Sequence, residues 1–173
     1  MWQIEDSLPA PKFEMISKPN NWAKAVKSSA DSTELTNTKI KQLEFWDAFK
    51  SFAKQNNTKL RFQKSYPQHW TNISIGSSEC HIALTINSRE KQFACEVYIS
   101  DNKDLYKKLF ENKDKIESEL GEKLEWMELP EKKASRIKLL ISGDFDNEKE
   151  WTRIFEWMQE KVEGFQSVFP RYL

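Results

Sequence analysis

The 173-residue sequence is poor in cysteine and glycine, and each shortage excludes a class of site. Its two cysteines are too few for a disulfide framework or for a cysteine-based metal cluster. Its four glycines form no glycine-rich phosphate loop, and no serine or cysteine lies in the glycine-flanked turn that exposes a catalytic nucleophile. The sequence therefore predicts no bound metal and no cofactor.

The chain also has no formal net charge, since 27 basic residues balance 27 acidic ones. This balance excludes the strongly basic domain that typifies many nucleic-acid-binding proteins, although it allows a local basic patch. There is no secretory leader and no apolar run of about 18 residues, the length needed to cross a bilayer. We therefore expect a soluble cytoplasmic protein with no membrane partner.

The first residues show few features of a packed domain. Three prolines lie within residues 8–20, which favours extended chain over helix, and residues 28–38 are polar. We predict an extended N-terminal segment and linker over residues 1–38 and a single α+β domain over residues 39–173. Because a domain rarely begins in this way, we expect the chain to be the C-terminal piece of a longer protein.

Hydrophobic periodicity predicts an α+β fold, in which a mostly antiparallel sheet of about five strands carries packed helices. The order is helix, three strands, helix, two strands, helix, over residues 39–55, 70–76, 80–87, 93–100, 102–120, 123–129, 134–141 and 148–168. Seven tryptophans and eleven phenylalanines supply much of the apolar area for the core. In the first helix the inward residues at helical spacing are Ile40, Leu43, Trp46, Phe49 and Phe52.

The three consecutive strands divide their side chains cleanly between two faces. Tight hairpins would pair Ile75 with Cys80 and Ile86 with Phe93, and both registers give the same division. One face is then apolar, with Ile73, Ile75, Cys80, Ile82, Leu84, Ile86, Phe93, Cys95, Val97 and Ile99. The other face carries Trp70, Asn72, Ser74, His81, Ala83, Thr85, Ala94, Glu96 and Tyr98.

The polar face is the strongest candidate site. His81 would lie opposite Tyr98, with Glu96 one diagonal step away and two small alanines leaving a recess beside them. His81, Glu96 and Tyr98 are therefore the catalytic candidates, because histidine and glutamate together can transfer protons. His69, Trp70, Asn72 and Thr85 are the ligand-binding candidates at the border of the recess. The alternative is an ordinary outer sheet face with cross-strand polar pairs.

The element order also resembles the core of PD-(D/E)XK nucleases, which would make the fold a degenerate restriction-endonuclease-like core. Those enzymes require an acidic residue on the second strand and Glu-x-Lys on the third, so that carboxylates hold magnesium. Here the third strand has Glu96 followed by Tyr98 in the place of the lysine, and the second strand offers His81. An intact metal nuclease on these strands is therefore not expected.

A basic run, "KKASRIK" at residues 132–138, is the second candidate. Lys132, Lys133, Arg136 and Lys138 could contact phosphates, and Lys133 and Arg136 are the binding candidates here. Two acidic residues lie just before the run, so a solvated hairpin turn is the alternative.

Several strings together resemble a prokaryotic family called domain of unknown function 4268. The strings are "PAPKFEMISKPNNWAKAVK" (9–27), "QLEFW" (42–46), "YPQHWTNISIG" (66–76), "ELGEKLEWMELPEKKASRIKL" (119–139) and the closing "FEWMQEKVEGFQSVFPRYL". The resemblance implies no activity, but family members often follow an upstream restriction-endonuclease-like domain, which suggests DNA metabolism or defence against foreign DNA. It points to Gln68, His69, Trp70, Asn72, His81, Glu96, Lys133, Ser135 and Arg136 without giving any of them a role.

Three functions stay open at this point. The first is an accessory domain that binds nucleic acid or a protein partner, such as an upstream nuclease domain. The second is a residual hydrolase or nuclease that uses the face of His81 and Glu96. The third is a structural or oligomerisation module, in which the chain would form a homo-oligomer.

Overall fold

The computed structural model describes residues 37–173, which form one α+β unit. The predicted fold class is confirmed, since this part of the chain contains four α-helices and a five-stranded antiparallel sheet. The predicted extended segment over residues 1–38 lies outside the described residues except for its last two, which begin the first helix. The division of the chain at residue 38 therefore stays a prediction.

The sheet has the strand order β1-β2-β3-β5-β4, and every neighbouring pair is antiparallel. Short 3₁₀ turns at Glu148–Glu150 and Phe169–Arg171 flank the last helix. In chain order the elements are α1 (Asn37–Gln55), β1 (Trp70–Ile73), β2 (Cys80–Asn87), β3 (Gln92–Ile99), α2 (Lys103–Glu111), α3 (Lys113–Leu120), β4 (Glu125–Met127), β5 (Ser135–Ser142) and α4 (Trp151–Val168).

The predicted strand register is confirmed. Ile86 pairs with Phe93 between β2 and β3, and the β1–β2 register, extended beyond the end of β1, sets Ile75 opposite Cys80. The apolar face packs against the helices, and Ile137 and Leu139 of β5 extend it. We call the opposite side the outer face; its members are Trp70, Asn72, His81, Ala83, Thr85, Ala94, Glu96, Tyr98, Glu125, Met127, Arg136, Lys138 and Leu140.

Phe45 lies at the centre of the core and is fully buried. Its ring stacks on Phe93 of β3 at 5.4 Å between centroids and meets Trp151 and Phe155 of α4 edge-on at 5.1 and 5.0 Å. Such aromatic pairs add stabilisation beyond their buried area. The predicted stripe of α1 omitted Phe45, and two of its members, Ile40 and Phe52, are only half-buried. The reason is that α1 contacts both the sheet and α4, so its buried arc is wider than one row of side chains.

The predicted helix over residues 102–120 is wrong in one respect, because it is two helices. The chain breaks at Asn112, whose backbone N–H donates to Leu109 O and whose side chain donates to Lys108 O at 2.9 Å. Asparagine competes with the helix in this way because its side chain can bond to nearby backbone groups. The predicted stop at Gly121 is confirmed, with φ at +69° in the left-handed region.

Two predicted strands are shorter than expected. β1 ends at Ile73, three residues before Gly76, whose φ is +86°. β4 covers three residues, and Leu129 at φ +53° turns the chain out of the extended conformation after it. Positive φ values of this kind are incompatible with a continuing strand.

A buried glutamate joins α3 to β4. Glu117 is 3% exposed and accepts hydrogen bonds from Lys123 Nζ at 2.7 Å, Leu124 N–H at 3.1 Å and Trp126 Nε1 at 3.0 Å. Burial alone would raise the pKa of this carboxyl, but the three donors outweigh it and hold the pKa at about 2. The ionised form is therefore part of the folded structure.

We expect Glu117→Gln to lower the free energy of unfolding at pH 7 by about 1–3 kcal/mol, the usual effect of disrupting a buried charged hydrogen-bond network. Because the folded pKa lies below the ordinary value of 4.5, this stability is present above pH 4.5 and is lost as the pH falls toward 2. Urea unfolding at pH 7 and at pH 3 measures both effects, and the gap between wild type and variant should narrow at pH 3. The exposed Glu111→Gln is the control, and equal stability of Glu117→Gln and wild type at pH 7 would contradict this assignment.

Candidate functional site

The outer face brings the three catalytic candidates together across adjacent strands. His81 of β2 lies directly opposite Tyr98 of β3, as predicted, and Ala83 lies opposite Glu96. His81 and Glu96 are therefore diagonal neighbours on the same face of the sheet. Their functional role stays a prediction, since the register fixes their positions and not their chemistry.

Tyr98 is the middle of a row of three side chains. Its ring centroid lies 5.2 Å from that of His81, at an interplanar angle of 37°. On the other side the guanidinium carbon of Arg136 lies 5.3 Å from the centroid of the same ring, within the range of a cation–π contact. Arg136 occupies this place because β5 sets it opposite Tyr98. The row presents two flat rings and a guanidinium on one surface.

Glu96 lies beneath this row and is only 2% exposed. Its Oε1 is 3.4 Å from Nη1 of Arg136, and its Oε2 has no hydrogen-bond partner within the described part of the chain. Burial raises the pKa of the Glu96 carboxyl, and the cations of Arg136 and Lys138 only partly oppose that rise. Burial also lowers the pKa of His81. Burial thus works against the charged form of each group.

The ligand-binding candidates of β1 and β2 border this centre. Trp70 is 39% exposed, lies on the outer face and pairs with Thr85, and Asn72 pairs with Ala83. Ala83 and Ala94 are buried, so the floor between the larger side chains is formed by methyl groups. The outer face therefore combines an exposed indole at one edge with the ring and guanidinium row farther along the sheet.

Two predicted binding residues lie apart from the row. His69 is exposed in the bend before β1, where its backbone carbonyl accepts a hydrogen bond from Ile86 N–H at 2.7 Å. Lys133 lies in the β4–β5 hairpin and forms an ion pair with Asp101 at 3.1 Å, in which both side chains are largely exposed. The structure thus does not bring Lys133 next to His81 and Glu96.

Two residues singled out by the family resemblance make internal contacts. Gln68 O accepts a hydrogen bond from the Trp46 indole at 2.8 Å, which holds the loop before β1 against α1. Ser135 is fully buried on the helix side of the sheet, where its hydroxyl donates to Glu128 O at 2.8 Å and accepts from Lys103 Nζ at 3.0 Å. Lys103 Nζ also donates to Leu129 O and Ala134 O at 3.0 Å, so it holds the hairpin to α2.

Sequence reasoning about the first three strands missed the contribution of β4 and β5 to the outer face. Lys138 lies opposite Glu96 and supports it electrostatically, and Glu125 and Met127 of β4 continue the same surface. The signal was present in the alternation of Ile137 and Leu139 with polar neighbours, which fixes the faces of β5. The alternation does not show which strands β5 pairs with. In the structure β5 pairs with β3 as well as with β4.

Groups that could hold a metal or react as thiols are few in residues 37–173. No three histidine, cysteine or carboxylate side chains of this range come together as metal ligands. Cys80 and Cys95 are free and buried, and burial raises the pKa of both thiols. None of the helices in the same range is long and apolar enough to cross a membrane.

Fold and surface together define a class of protein: an α+β domain whose antiparallel sheet carries helices on one face and a polar, aromatic surface on the other. A family model described as a domain of unknown function (DUF4268) matches residues 41–173, well over half of the chain. The chain belongs to this family, which confirms the predicted resemblance. No curated protein and no solved structure matches the chain.

The raised pKa of Glu96 has a consequence for stability. A carboxyl whose folded pKa lies above its unfolded value stabilises the protein fully at low pH and loses that contribution as the pH rises through the folded pKa. We therefore expect the isosteric Glu96→Gln to be more stable than wild type at pH 8, by roughly 1 kcal/mol, because it removes a desolvated charge. The difference should shrink below the ordinary glutamate pKa of 4.5.

Chemical denaturation at pH 8 and pH 4 measures this difference. Glu125→Gln, an exposed position on the same face, is the matched control and should change stability little. A Glu96→Gln variant that is less stable than wild type at pH 8 would show instead that the ion pair with Arg136 outweighs burial.

Proposed function

We propose that the outer face binds single-stranded nucleic acid. The observation that carries the proposal is the row of Arg136, Tyr98 and His81, which places a cation and two rings side by side on one sheet surface, with the exposed Trp70 toward its edge. Proteins that bind single strands without strong sequence preference use this combination, in which bases stack on aromatic rings and cations contact the phosphates.

The geometry assigns different contacts to different side chains. Trp70 has the exposed ring area that a base can stack on, and the Tyr98 ring is already flanked by His81 and the Arg136 guanidinium. Arg136 and Lys138 provide the phosphate contacts from β5. The carboxylate of Glu96 holds Arg136 in place through its Oε1, so that the guanidinium stays over the Tyr98 ring.

The neutral charge of the chain sets limits on this binding. With 27 basic and 27 acidic residues the protein has no long-range attraction for phosphate, so affinity must come from a few local contacts. We expect moderate affinity with a shallow salt dependence, since only about two phosphates would be neutralised by Arg136 and Lys138. A steep salt dependence would require a basic surface other than the outer face.

The family context agrees with this proposal without establishing it. The resemblance implies an association with restriction-endonuclease-like domains, so we place the binding activity in cytoplasmic DNA metabolism or defence against foreign DNA. In that setting the domain would act as an accessory module that holds a strand for a nuclease domain.

Fluorescence anisotropy with labelled single-stranded DNA, single-stranded RNA and duplex DNA, at two salt concentrations, tests the proposal. Trp70→Ala should weaken binding of single strands about tenfold, because stacking is worth about 1–3 kcal/mol per base. Arg136→Ala should weaken binding and reduce the slope of log affinity against log salt by about one. Lys107→Ala, at an exposed lysine of α2, is the matched control and should bind like wild type.

Two outcomes would overturn the proposal that the outer face binds single-stranded nucleic acid. One is the absence of binding by the wild-type protein at low salt, and the other is binding that neither outer-face variant changes. In the second case the interaction lies elsewhere on the chain, and the outer face would be available for a protein partner or for a second copy of the chain.

A hydrolase that uses His81 and Glu96 is the second candidate function. The specific observation in its favour is that burial shifts the two pKa values toward each other, upward for Glu96 and downward for His81, on one face of the sheet. Two groups whose pKa values approach each other in this way can act as an acid–base pair.

Cleavage of plasmid and single-stranded substrates, with and without added magnesium or manganese, tests the hydrolase. If it is correct, the wild-type protein cleaves and both Glu96→Gln and His81→Ala lose at least about a hundredfold in rate, the lower end of general acid–base effects. Lys107→Ala should retain the rate. Wild-type protein without cleavage, or variants that cleave as fast, would remove this candidate and leave the binding function untouched.

A further inference from the structure

A second candidate site lies at the edge of the sheet, away from the row on the outer face. A cleft of about 360 Å³ opens between the end of β1, the extended chain before β1 and helix α4. This volume lies within the range of about 300–1,000 Å³ that is typical of small-molecule sites. Its lining residues are Lys59, Arg61, Ile73, Ser74, Ile75, Gly76 and Gln166.

The charge of this cleft has one sign. Lys59 and Arg61 line it, both are exposed, and neither forms a hydrogen bond or an ion pair with another residue in the described range. No carboxylate is among the described residues that line it. Glu163, in the adjoining part of α4, is outside the described lining of the cleft and accepts hydrogen bonds from Thr58 at 2.8 Å and Gln159 at 3.1 Å. Two cations that form no ion pair within residues 37–173 and lie at one cleft attract an anion.

The chain that carries these cations is anchored on both sides of the cleft. Leu60 is buried between Lys59 and Arg61, and its backbone N–H donates to Thr58 Oγ at 3.2 Å. The bond from Thr58 to Glu163 fixes the same stretch to α4. The cations therefore project from a fixed segment.

The opposite side of the cleft is fixed as well and offers polar groups. Gln166 Nε2 donates to Ser74 O at 2.7 Å, which ties α4 to the end of β1. Gly76 has φ at +86°, and its backbone N–H donates a hydrogen bond to the Ser74 hydroxyl at 3.2 Å. Ile73 and Ile75 also line the cleft, but their side chains are almost fully buried in the core. The lining that a ligand can reach is therefore mainly polar and cationic, which suits an anionic ligand.

We propose that this cleft binds a phosphate monoester attached to an organic body, with Lys59 and Arg61 on the phosphate and the rest of the cleft around the body. Arginine matches phosphate oxygens with a planar fork of donors, and lysine adds a point charge. The volume exceeds what a lone phosphate fills, which favours an attached group. A free nucleotide and the phosphorylated end of a nucleic-acid strand present this same chemistry. The site is independent of strand binding on the outer face.

Calorimetric titration of the full chain with inorganic phosphate, adenosine monophosphate and adenosine tests the proposal. We expect adenosine monophosphate to bind more tightly than phosphate, and adenosine not to bind detectably. Arg61→Gln and Lys59→Gln should each weaken binding of adenosine monophosphate about tenfold, the effect of losing one charge-assisted hydrogen bond. Arg61→Lys, which keeps the charge, should retain part of the affinity.

The matched control is Lys115→Gln, at an exposed lysine of α3, which should bind like wild type. Wild-type protein that binds neither phosphate nor adenosine monophosphate overturns the proposal, and so does binding that is equal in wild type, Arg61→Gln and Lys59→Gln. Both substitutions are on the surface, and circular dichroism confirms that any loss of binding occurs in a folded protein.

A comparison of oligonucleotides with and without a terminal phosphate distinguishes the two sources of the ligand. A phosphorylated end that competes with adenosine monophosphate, and loses its advantage in Arg61→Gln, assigns the site to strand ends. No competition assigns it to free nucleotides. Trp70→Ala should leave binding of adenosine monophosphate unchanged, so failure of the cleft and failure of the outer face give separate results.

Discussion

The stacking of Phe45 on Phe93 joins the first helix to the central strand of the sheet. Phe93 can take part only because β2 and β3 pair in the register that places Ile86 opposite it, and the same register sends each apolar residue of both strands toward the helices. A slip of one residue would turn Glu96 into the aromatic core and expose Val97 and Ile99. The composition of the outer face is thus a consequence of how the inner face packs.

This constraint explains why the outer face carries unusual chemistry for a sheet surface. Apart from Glu96, the side chains at its centre are either small, as those of Ala83 and Ala94 are, or long enough to reach solvent past their neighbours. Glu96 is neither, so it is covered by the larger groups around it, and its Oε2 has no hydrogen-bond partner within residues 37–173. A buried polar atom of this kind is destabilising. Its retention at the foot of the Arg136–Tyr98–His81 row is easier to understand if the row has a function than if the surface only faces water.

The sequence alone was enough to predict the structure where a pattern is local and strict. The alternation in β2 and β3 predicts the pairing of His81 with Tyr98, and a glycine predicts the end of α3. It was not enough at Asn112, where a good helix sequence is interrupted by a side chain that competes for backbone groups. The burial of Phe45 was missed for a different reason. A single row of apolar residues at helical spacing cannot show that α1 packs against both the sheet and α4.

The candidate sites also differ in whether a local sequence pattern predicts them. The part of the outer face formed by β2 and β3 follows from alternation, whereas Arg136 and Lys138 join it only because β5 returns beside β3, a long-range pairing that no local pattern contains. The edge cleft is even harder to predict from the sequence. Lys59 and Arg61 lie in chain without regular structure, and Gln166, which lines the same cleft, belongs to a helix about a hundred residues later. Only the three-dimensional arrangement shows that two ordinary surface cations share a cleft whose described lining contains no carboxylate.

The ammonium group of Lys103 gives the outer face a dependence on the opposite side of the molecule. It bonds to the carbonyls of Leu129 and Ala134 and to the hydroxyl of Ser135, the residue immediately before Arg136. The helix that bears Lys103 therefore holds the start of β5 from the helix side of the sheet, one residue before Arg136. The strand from which the arginine projects is thus anchored by a side chain that lies on the other side of the sheet.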